Sequence, residues 1–259
     1  MPPRTRLDEL LVQRGLAESR SRAQALIAQG RVSVSGRTVL RKAEPVAPSA
    51  PIAVSEPERY VSRGALKLIH ALDRFDVAVA GRVALDAGAS TGGFTQVLLM
   101  RGARRVYAID AGHGQLHPAL RGDGRIVLRE GTNLRHLRPG ELEDPIELCT
   151  LDLSFISLRL VLPAVVSLVA PGADIVALVK PQFEAGPADV GKRGIVREPG
   201  VHLRVLGEVA QAAQELGLAP CGVCASPIRG GDGNREYLVH FGPGPRAFDA
   251  ARAVEEAFA

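Results

Sequence analysis

The 259-residue chain carries 32 Arg and Lys against 28 Asp and Glu, a formal net charge of +4, with 46% apolar and 23% charged residues. That is the balance of an ordinary globular protein, long enough for one domain of about 200 residues plus a small appendage, and it excludes disorder outside linkers. Three cysteines are too few for a disulfide framework and no apolar run approaches the ~20 residues of a membrane helix, so a reduced, cytoplasmic protein is expected.

The positive charge lies at the amino-terminal end. Residues 1–48 hold nine basic and four acidic side chains, which leaves the rest of the chain at −1. Such asymmetry points to a polyanion-binding appendage, because Arg and Lys gain affinity by releasing phosphate counterions. "MPPRTRLDEL" has no apolar segment of the signal-peptide kind. "RLDELLVQRGL" then sets Leu7, Leu10 and Leu11 at helical spacing and stops at Gly15; "SRSRAQALIAQG" opens on a Ser cap, carries Ala23, Leu26 and Ile27, and stops at Gly30. "RVSVSGRTV" alternates Val32, Val34 and, past a Ser35-Gly36 turn, Val39, the pattern of a hairpin. Basic residues are interleaved with these elements, which predicts a folded basic face. Arg4, Arg6, Arg20, Arg22, Arg41 and Lys42 are its candidate RNA contacts.

This helix-helix-hairpin order resembles the RNA-binding domain first seen in ribosomal protein S-four, over residues 5 to about 54. The resemblance implies a small α+β RNA-binding domain. Prolines at 45, 48, 51 and 57 mark irregular strands and a linker, so a domain boundary is expected near residue 57, with a second domain over 58–259.

Beyond residue 60 the pattern becomes alternating strands and helices. Strands are predicted at 83–85, 105–109, 125–128, 148–151, 175–179, 221–226 and 237–241, and helices notably at 62–75, 93–101, 158–168 and 199–216. The fold class this predicts is α/β, a doubly wound Rossmann-like sheet. Such sheets bind ligands at the carboxyl ends of their strands, beside the switch in strand order.

"LDAGASTGGFTQVLLMRGA" (85–103) joins the first of these strands to a helix through a turn of small residues. A phosphate-binding loop needs Lys after its last Gly, and Phe94 follows Gly93; the dinucleotide fingerprint Gly-x-Gly-x-x-Gly is also absent. A close-approach turn with no cation for a pyrophosphate suits a nucleoside that is itself positively charged, S-adenosylmethionine. Gly88, Ala89, Ser90, Thr91, Gly92, Gly93 and Phe94 are the candidate cofactor-binding residues. Asp86, under the turn, is expected to orient the amino acid end of that ligand. Asp110 ends the next strand 22 residues after Gly88, where a carboxylate accepts from both ribose hydroxyls or else caps the following turn. Asn133, in "GTNLRHL", is placed to meet the adenine edge.

Asp152 ends "ELCTLD" and Lys180 ends "DIVALVK", so both open onto one cleft, and Pro181 keeps Lys180 out of the helical conformation. An Asp–Lys pair there suits proton transfer, with a structural ion pair as the alternative. Lys67 shares a helical stripe with Arg63, His70 and Arg74 that reads as a solvated basic face, and Glu236 opens the last strand after "RGGDGNR"; the residues alone single out neither. Cys221-Gly-Val-Cys224 is a lone pair of small strand residues, and His113 and His117 lack supporting ligands, so no metal is expected.

"YVSRGALKL", "LDAGASTGGFTQVLL", "DLSFISL", "LVKPQFEAG" and "GNREYL", in that order across nearly the whole chain, resemble the motif set of the TlyA family, bacterial ribosomal RNA methyltransferases with an FtsJ-like fold. The resemblance implies an S-adenosylmethionine-dependent enzyme in which a Lys-Asp-Lys-Glu tetrad, here Lys67, Asp152, Lys180 and Glu236, methylates a cytidine ribose 2′-hydroxyl in the ribosomal RNA of ribosomal subunits. Lys180, steered by Asp152 and Glu236, is expected to activate the oxygen, and Lys67 to hold the substrate. Some members carry a Trp in the linker; this chain has none and offers "PERYVS" with Tyr60. The family also bears a hemolysin label, so membrane disruption, or ribosome assembly without catalysis, stands as the alternative. "DLSF" in place of an Asn/Asp-Pro-Pro-aromatic motif disfavours amino-nitrogen methylation.

Overall fold

Leucines at helical spacing, with glycines where the chain reverses, shape the amino-terminal unit. Its elements in order are β1 (Thr5–Arg6), α1 (Leu7–Gln13), α2 (Arg20–Ala28), β2 (Val32–Val34), β3 (Arg37–Thr38), β4 (Pro45–Val46) and β5 (Ile52–Val54). Leu7, Leu10, Leu11, Ala23, Leu26 and Ile27 of the two helices share one core with Val32, Val39 and Val46. Ser19 caps α2, its hydroxyl accepting from the Arg22 amide at 3.2 Å. The predicted hairpin forms: β2 pairs antiparallel with β3 and β5, and Ser35 and Gly36 both take the left-handed backbone its two-residue turn requires. The computed structural model describes residues 4–55, 59–243 and 247–259. The boundary expected at residue 57 lies outside the described residues; the chain divides into units 1–59 and 60–259.

Within the first unit Asp8 is wholly buried. It accepts hydrogen bonds from Arg6 Nε and Nη2 and Arg20 Nε, each at 3.0 Å, and from Gln24 Nε2 at 2.8 Å. All six candidate RNA-contacting cations are exposed, but Arg6 and Arg20 are thus tied to Asp8, and both also reach Glu9. The side chains of Arg4, Arg22, Arg41 and Lys42 pair with none of the described residues.

The Arg6 hydrogen bonds hold the Asp8 carboxyl well below the usual carboxylate range. A depressed folded-state pKa contributes stability above the unfolded value of about 4, and that contribution drains away as pH falls below it. Protection of the α1 and α2 amides against hydrogen exchange, taken relative to the intrinsic rate at each pH, is therefore expected to fall below about pH 4, and Asp8→Asn to remove that fall. Identical profiles for the two proteins would contradict it.

The second unit continues with α3 (Gly64–Phe75), β6 (Val83–Ala87), α4 (Gly93–Met100), β7 (Arg105–Ile109), β8 (Ile126–Arg129), β9 (Ile146–Leu151), α5 (Leu162–Leu168), β10 (Val169–Val179), α6 (Pro181–Glu184), α7 (Pro199–Glu215), β11 (Pro220–Ala225), β12 (Tyr237–Phe241) and α8 (Ala250–Phe258). Seven strands form one sheet in the order β11-β12-β10-β9-β6-β7-β8, with β12 antiparallel to both neighbours and the rest parallel. The chain winds outward from β6 to β8 and returns at β9 beside β6, which makes the switch in strand order a crevice between β6 and β9.

Apolar cores cover both faces. Leu148, Leu178 and Leu238 meet α3 and α4 on one face, while Cys149, Val179, Tyr237 and Val239 meet α5, α7 and α8 on the other. Side chains alternate along a strand. Asp152, Lys180 and Glu236 stand an even number of residues from Leu148, Leu178 and Leu238 in turn, and so fall on the α3 side. Helix α8 is absent from the predicted elements; Ala253 and Val254 bury it against the sheet.

Candidate active site

The turn after β6 brings backbones closer than any side chain allows. Gly88 has φ +84°, and a Cβ built there would stand 2.4 Å from the Asp152 carbonyl oxygen. One on Gly93 would stand 2.1 Å from Ser62 Oγ, where α3 crosses α4. Small residues are thus required on both sides of the turn. The amides of Gly88 and Ala89 both donate to the Ile109 carbonyl, stitching the turn to β7.

Two adjoining cavities open at the strand ends. One of about 260 Å³ is lined by Ser62, Arg63, Lys67, Ala89, Thr91, Phe94 and Gly230 among others. The other, about 460 Å³, runs past Asp110, Gln115, Thr132, Asn133, Ser154 and Phe155. Gly88, Ser90 and Asp152 line both. Asp110 Oδ2 accepts from the Ser90 amide at 2.8 Å and Oδ1 from Gly112 at 2.7 Å, so it braces the turn while still facing the cavity. Asn133 lines the same cavity, its side-chain oxygen accepting from the Arg135 amide at 3.1 Å.

Two of the candidate cofactor residues stand elsewhere. Gly92 opens α4 against Leu116 and Leu120 and lines neither cavity. Asp86 is fully buried beneath the turn, accepting from Thr95 Oγ1 at 2.6 Å and Thr150 Oγ1 at 3.1 Å, and it too lines neither. Burial pushes its carboxyl up to about 6. Asp86 stands on the face of β6 that α4 covers, level with Thr150 of β9, and there it ties β6 to α4 and β9.

The four charged residues form two pairs. Lys180 takes an extended backbone, φ −113° and ψ 99°, as Pro181 demands, and its Nζ donates to Asp152 Oδ1 at 2.7 Å and Ser154 Oγ at 2.9 Å. Lys67 Nζ meets Glu236 Oε2 at 2.5 Å. Glu236 therefore serves Lys67, not Lys180 as the sequence leads one to expect, because α3 packs over the face on which Glu236 projects. Lys67 is only 8% exposed, which overturns the solvated basic face: Arg63 and Arg74 on that stripe are exposed, Lys67 is buried.

Sequence reasoning missed Ser154 and Phe155, although both lie in "DLSFISL". Ser154 stands two residues past Asp152, a same-face spacing that would have flagged it. Phe155 is 90% exposed with φ +64°, its ring 5.1 Å from that of Phe183.

Residues 60–243 match the FtsJ-like methyltransferase family and residues 5–52 the S4 domain. The chain is 50% identical over 241 residues to the 16S/23S rRNA (cytidine-2'-O)-methyltransferase TlyA of Mycobacterium tuberculosis, covering 92% of this chain and 90% of that one. It is 40% identical over 237 residues to Hemolysin A of Brachyspira hyodysenteriae, covering 91% of this chain and 99% of that one. Among solved structures it is similar to a Streptococcus thermophilus protein that bears a hemolysin designation, with a TM-score of 0.75 at 38% identity over 100% of this chain and 97% of that chain.

Proposed function

Because the chain belongs to the TlyA family of ribosomal RNA methyltransferases, we propose that it transfers a methyl group from S-adenosylmethionine to the ribose 2′-hydroxyl of a cytidine in ribosomal RNA, acting on ribosomal subunits in the cytoplasm. One observation carries this reading: two lysine–carboxylate pairs, both ammonium groups buried, stand beside the glycine-lined turn, at the crevice where strand order switches. An apolar set of similar volume would serve stability as well. Buried ions at strand ends beside a cavity are the arrangement of reaction machinery.

A ribose hydroxyl is a weak nucleophile, so in-line placement and removal of its proton are both needed. Lys180 accepts that proton as the neutral amine, having first released one proton to solvent, and the bonds from its Nζ to Asp152 and Ser154 fix where that nitrogen stands. Lys67, on the wall of the smaller cavity and oriented by Glu236, holds the ribose and offsets charge developing on the oxygen. The donor fits the larger cavity. Asp110, Thr132 and Asn133 offer carboxylate, hydroxyl and amide groups to a nucleoside, and residues 88–93 contain no Lys or Arg that would hold a pyrophosphate. Each Asp110 oxygen keeps a lone pair for a ribose hydroxyl beyond its backbone bond. When bound, S-adenosylmethionine supplies a methyl group on a positively charged sulfur that departs as a neutral thioether.

The amino-terminal unit supplies RNA affinity through Arg4, Arg22, Arg41 and Lys42, with Arg6 and Arg20 contributing the donors that Asp8 and Glu9 leave free. The hemolysin designation of two relatives names another activity; among the described residues no helix is long and apolar enough to cross a membrane.

Incubating unmodified ribosomal subunits with methyl-labelled S-adenosylmethionine tests the reading. The expected result is label on a cytidine ribose, at a linkage that resists alkaline cleavage because its 2′-oxygen is capped. Label on a base would refute it.

A further inference from the structure

Segment 152–158 carries Asp152, Ser154 and Phe155 from the end of β9 across the mouth of the larger cavity. Its first residue is anchored, the Asp152 amide donating to the Ala87 carbonyl at 3.0 Å. Its far end meets a buried carboxylate. Glu184, the last residue of α6 and 6% exposed, accepts from Ser157 Oγ at 2.5 Å through Oε2 and from the Leu158 amide at 2.7 Å through Oε1. Arg159 closes the cluster, with Nε 3.6 Å from Glu184 Oε2 and Nη2 donating to the Glu184 carbonyl at 3.1 Å.

Burial raises the Glu184 carboxyl above the usual range. An isolated carboxylate in such a place is unfavourable and persists only with its hydrogen bonds made. Lys180 and Glu184 are four residues apart, one helical turn, on either end of α6. The two segments are therefore joined by two ties, Lys180 to Asp152 and Ser154, and Glu184 to Ser157 and Leu158. Between the ties sits Phe155 with a left-handed backbone, a conformation that a bulky residue keeps only where its surroundings over-determine it.

We propose that Glu184 is a positioning residue for methyl transfer: it pins segment 152–158 so that Asp152 and Ser154 stand against Lys180. This rests on Lys180 as the proton acceptor of the proposed reaction. Glu184 touches neither cavity; it acts through the segment it holds. Alanine removes both acceptors and frees the far end of the segment. Glutamine keeps an oxygen for the Leu158 amide, but its NH₂ meets a Ser157 Oγ that already accepts from the Arg159 amide and Nε, so only the Leu158 half of the tie survives.

The test measures kcat and KM of full-length Glu184→Ala, Glu184→Gln and Ser157→Ala on unmodified ribosomal subunits. Displacements near 1 Å cost up to about a hundredfold, so Glu184→Ala is expected to lower kcat about tenfold to a hundredfold. KM for S-adenosylmethionine should rise no more than about threefold, because residues 88–93, Asp110 and Asn133 are untouched. Glu184→Gln, which keeps the Leu158 bond, and Ser157→Ala should both fall between wild type and Glu184→Ala in kcat. Wild-type kcat in Glu184→Ala, or a Glu184→Gln as slow as Glu184→Ala, overturns the proposal. If Glu184→Ala does not fold, Ser157→Ala decides: an unchanged kcat there overturns it. A wild-type protein that places no label on ribose is the failure of the reaction assignment itself, which the same assay distinguishes.

Discussion

Lys180→Ala is expected to fold normally and to lose ribose methylation, its single-turnover rate falling about 10²- to 10⁴-fold, the range a positioned proton acceptor contributes. At about 1.4 kcal/mol per decade that is roughly 3–5 kcal/mol of transition-state stabilisation. Folding survives because the partner left behind is not sealed in: the Asp152 side chain is 22% exposed and lines both cavities, so water replaces the ammonium. Lys180→Arg separates charge from chemistry. A guanidinium keeps the ion pair with Asp152 but does not give up its proton, so it cannot accept one from the ribose. That variant should be as slow as the alanine one, with a wild-type melting temperature. A Lys180→Arg protein that methylates at a tenth of the wild-type rate or better would show that the ammonium acts only as a fixed charge.

Gly88→Ala is expected to weaken S-adenosylmethionine binding at least tenfold and to lower the melting temperature. The added methyl would stand 2.4 Å from the Asp152 carbonyl oxygen and 2.9 Å from its carbon, and backbone cannot swing aside as a side chain can. Its φ of +84° adds strain for any residue with a Cβ. Together these cost roughly 1–3 kcal/mol, and relief moves either the turn or Asp152, both of which form the cavity walls. Gly207→Ala is the control. It lies within α7, exposed, and a Cβ added there would meet nothing within 4 Å, so alanine should raise stability by about 0.5–1 kcal/mol and leave binding untouched. Calorimetry with the methyl donor and thermal melting read both variants; equal affinities for Gly88→Ala and wild type would contradict the close-approach argument.

Sequence alone located what depends on neighbours in the chain. Small residues at 88–93 marked a turn against which other backbone is packed. Pro181 set Lys180 extended, Ser35-Gly36 set a hairpin, and alternating apolar runs set the sheet and the edge on which its cavities open, because each of these is decided by conformational preferences over a few residues.

Tertiary structure decided which charges meet. Lys67 looked solvated because its stripe is basic and its partner is 169 residues away; only the packing of α3 over the sheet buries it and brings Glu236 to it. Asp86 is expected at the ligand from its position under the turn, yet α4 covers the face of β6 on which it stands and it bonds to two threonines. Asp8 and Glu184 carried no local signal, since a carboxylate on a short helix reads as surface until the groups opposite it are known. Turn and strand preferences act through bonded neighbours and are written in order along the chain. Ion pairs depend on distances across the fold, which that order does not contain.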